Sequence, residues 1–115
     1  MTGANILLDT NIDNVTQVFI SATVIGELYY GAQYSTHIEK NTYNIHELIK
    51  VYEVLMIDEE TAKAYGTIKA SLRKKGRPIL ENDIWIAAIA LQYNLTLATR
   101  DRHFSEIEQL DVVAW

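Results

Sequence analysis

Four carboxylates stand where a folded chain can use them for chemistry. Asp9 ends an apolar run, Glu27 lies inside a stretch with helical spacing, Asp83 opens another such stretch, and Asp101 follows a third apolar run. With no cysteine and three scattered histidines, an oxygen-only donor set favours a hard cation such as Mg²⁺ or Mn²⁺. Such an ion lowers the pKa of water and steadies the charge of a phosphoryl transition state. Without it, gathered carboxylates repel one another. Each acid alone has a plainer role. Asp9-Thr10-Asn11 suits a strand-ending turn, and Asp83 suits a helix N-terminus. Asp101 suits a solvated loop and Glu27 an exposed helix face. The ordered set of four is what points to a site.

The charge around these acids is uneven. The net charge of −5 argues against a simple electrostatic grip on nucleic acid. Residues 61–80 carry Lys63, Lys69, Arg73, Lys74, Lys75 and Arg77 with no acid, so the remainder of the chain is strongly negative. Arg73, Lys74 and Lys75 suit the C-terminal end of a helix. Arg77, and Arg100 and Arg102 on either side of Asp101, are the candidate phosphate contacts. His103 reads as a hydrogen-bonded structural histidine rather than a base or ligand. Tyr29, Tyr30 and Tyr34 read as packing or interface residues rather than base-stacking ones.

A chain of 115 residues supports one domain with a single core. Hydrophobic residues make up 49% and charged residues 22%, an ordinary globular balance. No apolar run approaches the roughly 20 residues a membrane helix needs. The opening MTGANILLD lacks the pattern of a secretory signal. The expectation is a cytoplasmic protein with no membrane association.

The elements that must position the acids alternate between strand and helix. Asn5 to Asp9 and Val18 to Ser21 read as buried strands. Residues 22–33 place Val24, Leu28 and Ala32 at helical spacing, and a second helix is predicted from about 38 to 52. Val54 to Ile57 forms the third strand. Asp58 caps a helix over 59–75, which Gly76 and Pro78 stop. Asn82 to Tyr93 is a densely apolar helix ending at Asn94. Leu95 to Thr99 and Val112 to Ala114 complete the strands, with a short helix near 103–109. This alternation predicts an α/β domain with a mainly parallel sheet. Ligands gather at the carboxyl ends of such strands, where Asp9 and Asp101 fall.

These same segments carry a resemblance. Ile6-Leu-Leu-Asp-Thr-Asn-Ile12 resembles the opening strand of PIN domains, and the stretch from Phe19 to Ala32 resembles their second strand and following helix. Pro78 to Ala88 is similar to the segment that supplies the third acid, and Leu97-Ala-Thr-Arg-Asp-Arg-His-Phe104 to the last motif. The closest branch looks like the VapC-type toxins of toxin–antitoxin pairs. The resemblance implies one PIN-like domain over 1–115, a three-layer α/β/α sandwich with a mainly parallel sheet of four to five strands. It implies a Mg²⁺- or Mn²⁺-dependent ribonuclease that is a homodimer silenced by a cognate antitoxin. Asp9 and Asp83 would hold the principal metal, Glu27 and Asp101 would complete the pocket, and Asn11 and Thr99 would support it. Arg77, Arg100 and Arg102 become contacts to the RNA substrate.

The chain departs from the family in one place. The family sets a whole helix between its first two strands, and here only eight residues separate Asp9 from Val18. A parallel crossover usually needs a dozen or more. The reading favoured is a stretch of chain missing from the sequence rather than a natural loss. It predicts a break in the backbone near Ile12 and Asp13. A true loss would favour the alternative, a catalytically silent PIN scaffold that binds RNA or a protein partner. A phosphoryl-transfer signalling domain fits less well, because Asp9-Thr10-Asn11 offers no second acid or lysine nearby.

Overall fold

The structure, a computed structural model, describes residues 5–8 and 17–114. Five strands form one sheet in the order β3-β2-β1-β4-β5: β1 (Asn5–Leu8), β2 (Gln17–Ser21), β3 (Glu53–Leu55), β4 (Thr96–Ala98) and β5 (Val112–Val113). Every neighbouring pair is parallel. The first strand is therefore the centre of the sheet, with Leu8 level with Ile20 on one side and Ala98 on the other.

Four α-helices join these strands: α1 (Ala22–Gln33), α2 (Ile38–Ile49), α3 (Glu59–Lys75) and α4 (Glu81–Gln92). Ser21 is fully buried and caps α1, its Oγ accepting from Val24 N–H at 3.1 Å. The Asp58 cap predicted for α3 is present as a reciprocal box, because Thr61 N–H donates to Asp58 and Asp58 N–H donates to the Thr61 hydroxyl. The amide of Gln92 also donates to Asp58 at 2.8 Å, which ties the start of α3 to the end of α4. The end of α3 is Gly76, left-handed at φ 66°, and Asn94 after α4 takes φ 55°, so both terminators act as their residue types favour.

The core is organised around α4. Ile84, Ile86, Ala87, Ala88, Ile89 and Ala90 are all buried. A helix that is apolar on all sides must be enclosed. Leu97 from the sheet, Ile68 and Leu72 from α3, Val24 from α1 and Phe104 belong to the same buried cluster. The sequence boundaries shift in three places. Helix α2 stops at Ile49, three residues before its predicted end, and Lys50 caps it. The third strand runs one residue earlier than predicted, leaving Met56 and Ile57 outside it and exposed. The helix expected near 103–109 is a 3₁₀ turn, Arg102–Glu106, started by Asp101. The expected break near Ile12 and Asp13 lies outside the described residues, as do Asp9 and Asn11.

Candidate active site

Both β2 and β4 end beside the last described residue of β1. From β2 the chain passes through Ser21 directly into α1, which carries Glu27 in its second turn. From β4 it passes through Thr99 to Asp101. The third described acid, Asp83, sits in the first turn of α4, where the positive end of the helix dipole favours it.

Helices α1 and α4 meet at this point. Glu27 is exposed, and the Asn82 amide donates to its Oε2 at 3.3 Å. Asn82 immediately precedes the half-buried Asp83 in sequence. Asp101 is held differently. Its Oδ1 accepts from His103 N–H at 2.9 Å and lies 2.7 Å from His103 Nδ1. Its own N–H donates to the Thr99 hydroxyl at 3.0 Å. Thr99 is 1% exposed, and its hydroxyl holds the backbone of the Asp101 turn from just past the end of β4. The His103 ring is hydrogen-bonded, as expected, with Asp101 as its partner.

Among the described residues, no three of His, Cys, Asp or Glu are grouped closely enough to hold a metal ion. Glu27, Asp83 and Asp101 fit a hard divalent cation by the chemistry of their oxygens. The fourth candidate ligand, Asp9, lies outside the described residues, and so does its neighbour Asn11. The cations are placed as follows. Arg77 is largely exposed and pairs with Glu106 at 3.6 Å. Lys75 pairs with Glu108 at 3.0 Å, while Arg100 and Arg102 are exposed.

Sequence reasoning missed three contributors. Asn82 orients Glu27, and a second polar residue beside Asp83 was the only available sign of it. Tyr65 and Trp85 stack with centroids 4.0 Å apart and planes 15° from parallel. Glu81 accepts from Lys69 at 2.5 Å and from the Tyr65 hydroxyl. The Lys69 hydrogen bond, and then the Tyr65 one, hold the Glu81 carboxyl below its ordinary range. These contacts join residues of α3 and α4 distant in sequence, so no local pattern announces them.

The family model for the PIN domain matches residues 5–110. The chain belongs to the PIN-domain family. This PIN domain is 35% identical over 103 residues to ribonuclease VapC2 of Haemophilus influenzae, covering 89% of the chain and 78% of that protein. It is 33% identical over 103 residues to the tRNA(fMet)-specific endonuclease VapC of Salmonella typhimurium, with the same coverage. Among solved structures, the DNA-bound VapBC complex of Salmonella typhimurium matches with a TM-score of 0.90 at 29% identity, covering 97% of this chain and 98% of the matched one. VapBC2 of Rickettsia felis, bound to a promoter DNA fragment, matches with a TM-score of 0.81 at 30% identity, covering 86% and 75%.

Proposed function

We propose that this PIN domain is a VapC-type endoribonuclease, the toxin of a type II toxin–antitoxin pair. The observation that carries the reading is the contact of Asn82 with Glu27. It joins the α1 acid to the α4 turn that bears Asp83, in a chain whose relatives are ribonucleases by name. Asp9, Glu27, Asp83 and Asp101 would hold Mg²⁺ or Mn²⁺. Bound there, the ion supplies Lewis acidity toward the phosphodiester and offsets the negative charge that builds in the transition state. The chain's own part is orientation. Asn82 steers Glu27, the buried Thr99 hydroxyl anchors the backbone of Asp101, and His103 holds the Asp101 carboxylate. Arg100 and Arg102 flank Asp101 and would meet RNA phosphates.

The architecture that goes with this reading has three layers. The step from β2 to β3 and the step from β3 to β4 run in opposite directions across the sheet. Right-handed crossovers put the α1–α2 pair and the α3–α4 pair on opposite faces. A homodimer bound by a cognate antitoxin completes the reading, in line with the VapBC complexes the fold matches.

The test is cleavage of RNA by the purified chain with Mn²⁺ or Mg²⁺, beside its Asp9→Asn variant, with cut ends mapped by sequencing. Metal-dependent cuts that the variant abolishes are expected. No cleavage by the free chain under any divalent ion would sink the reading. The silent-scaffold alternative is kept by one feature. Eight residues, 9–16, separate the parallel strands β1 and β2, where the family resemblance leads one to expect a helix. Under that alternative the chain binds RNA or antitoxin without cutting.

A further inference from the structure

Beside Glu27 there is a cavity of about 380 Å³. Helix α1 lines it with Thr23, Gly26, Glu27 and Tyr30, helix α4 with Asn82 and Trp85, and Ile57 adds an apolar wall. Three properties of this lining point to one kind of occupant. Two aromatic rings face the same space. Tyr30 is 65% exposed, and Trp85 is half-buried with Tyr65 stacked on it. A ring backed in this way is already ordered, so stacking on it costs little further side-chain entropy. An amide lines the same space and contacts the acid. Asn82 donates one N–H to Glu27 and carries a second N–H and a carbonyl besides. Finally, the wall beside Gly26 is open, since a Cβ built there would meet nothing within 4 Å.

Aromatic faces with an amide that can donate and accept are the means by which proteins hold an unstacked nucleobase. A phosphate anion fits poorly beside Glu27, whereas a neutral base does not meet that repulsion. The position also fits. Glu27 itself lines the cavity with Tyr30 three residues on along α1, and Asn82, in the turn of α4 that also bears Asp83, lines it with Trp85 three residues on. We infer that this cavity receives one unstacked base of the RNA next to the phosphate that is cut, held against Tyr30 and Trp85 and read along its edge by Asn82. These residues then set the base preference at the cut. The identity of the ligand as RNA rests on the ribonuclease reading above.

The experiment separates binding from cleavage. In a Trp115→Phe background, Trp85 is the only tryptophan and reports directly. Titration with each of the four nucleoside monophosphates, in EDTA and up to tens of millimolar, should give saturable quenching by at least one of them. Tyr30→Ala and Asn82→Ala should each weaken that binding fivefold or more. In parallel, cut ends from a random-sequence RNA should show a base preference beside the cut that both variants broaden. Circular dichroism of both variants checks that the fold survives. Absence of quenching by all four nucleotides overturns the inference, whether or not RNA is cut. Quenching that persists in a chain unable to cut RNA upholds the base site and overturns the ribonuclease reading instead. If Tyr30→Ala splits a dimer and leaves nucleotide affinity unchanged, the cavity is a protein interface and the inference falls.

Discussion

Glu27 and Asp83 come from different helices, and the Asn82 side chain ties Glu27 to the turn of α4 that carries Asp83. Replacing either acid by its amide keeps size and most hydrogen bonds while removing charge. Glu27→Gln and Asp83→Asn should each lower RNA cleavage by about 10²-fold or more, the scale on which a preorganised electrostatic group acts. Their circular dichroism and melting temperature should change little, and full residual activity would reject the assigned roles. Asp101 has a structural duty besides, since it starts the 3₁₀ turn and holds His103. Asp101→Ala should therefore cost about 1 kcal/mol of stability as well as activity, readable in urea unfolding. At this scale the sequence was legible where chemistry restricts residue type. A carboxylate after an apolar run is visible in one dimension. Asn82 was not, because its importance comes from a neighbour on another helix. The Tyr65–Trp85 stack was hidden for the same reason.

Helix ends were the most legible elements. Asp58, Gly76 and Asn94 each mark a boundary by a local backbone or hydrogen-bonding requirement, and each was found in that role. Gly76→Ala should cost about 1–2 kcal/mol, because its left-handed φ crowds a Cβ against the following carbonyl. Asn94→Gly should be close to neutral, since glycine meets the same requirement more easily. Equilibrium denaturation of the two variants checks the contrast. The α3–α4 pairing also sets a pH dependence. Hydrogen bonds led by Thr61 N–H lower the Asp58 pKa, and those led by Lys69 lower that of Glu81. Both carboxylates thus bind protons less readily when folded, so their stabilisation is present above the unfolded carboxylate range, about pH 4, and is lost as pH falls through the lowered folded values. Asp58→Asn should flatten the acid limb of the melting curve, and an unchanged limb would remove Asp58 from that account. Element ends such as Ile49 and Leu55 were less legible, because tertiary pairing rather than local pattern decides where they stop.

At the scale of the whole molecule, α4 is the most buried of the four helices described, and Ile86 within it has no exposure. Ile86→Ala should destabilise by about 2–5 kcal/mol through lost burial and a residual cavity. A bound divalent ion should act in the other direction. Mn²⁺ at one hundred times its dissociation constant should add about 2.7 kcal/mol, visible as a raised melting temperature that EDTA reverses and Asp83→Asn reduces. An indifferent melting temperature would count against a working metal site. The α/β class and the parallel sheet were readable from the alternation of elements. The centrality of β1 was not, since strand order is a property of long-range pairing. That centrality governs the order in which the protein can be born. Ile6 pairs with Thr96, at the far end of the chain, so the sheet has the long-range contacts that slow folding. A growing polypeptide has no β4 to set against β1 until Thr96–Ala98 have left the ribosome, and Asp101 emerges later still. On the reading proposed here, the nascent chain cannot assemble its cutting site until β4 and Asp101 have been made, and an antitoxin has nothing active to capture before then.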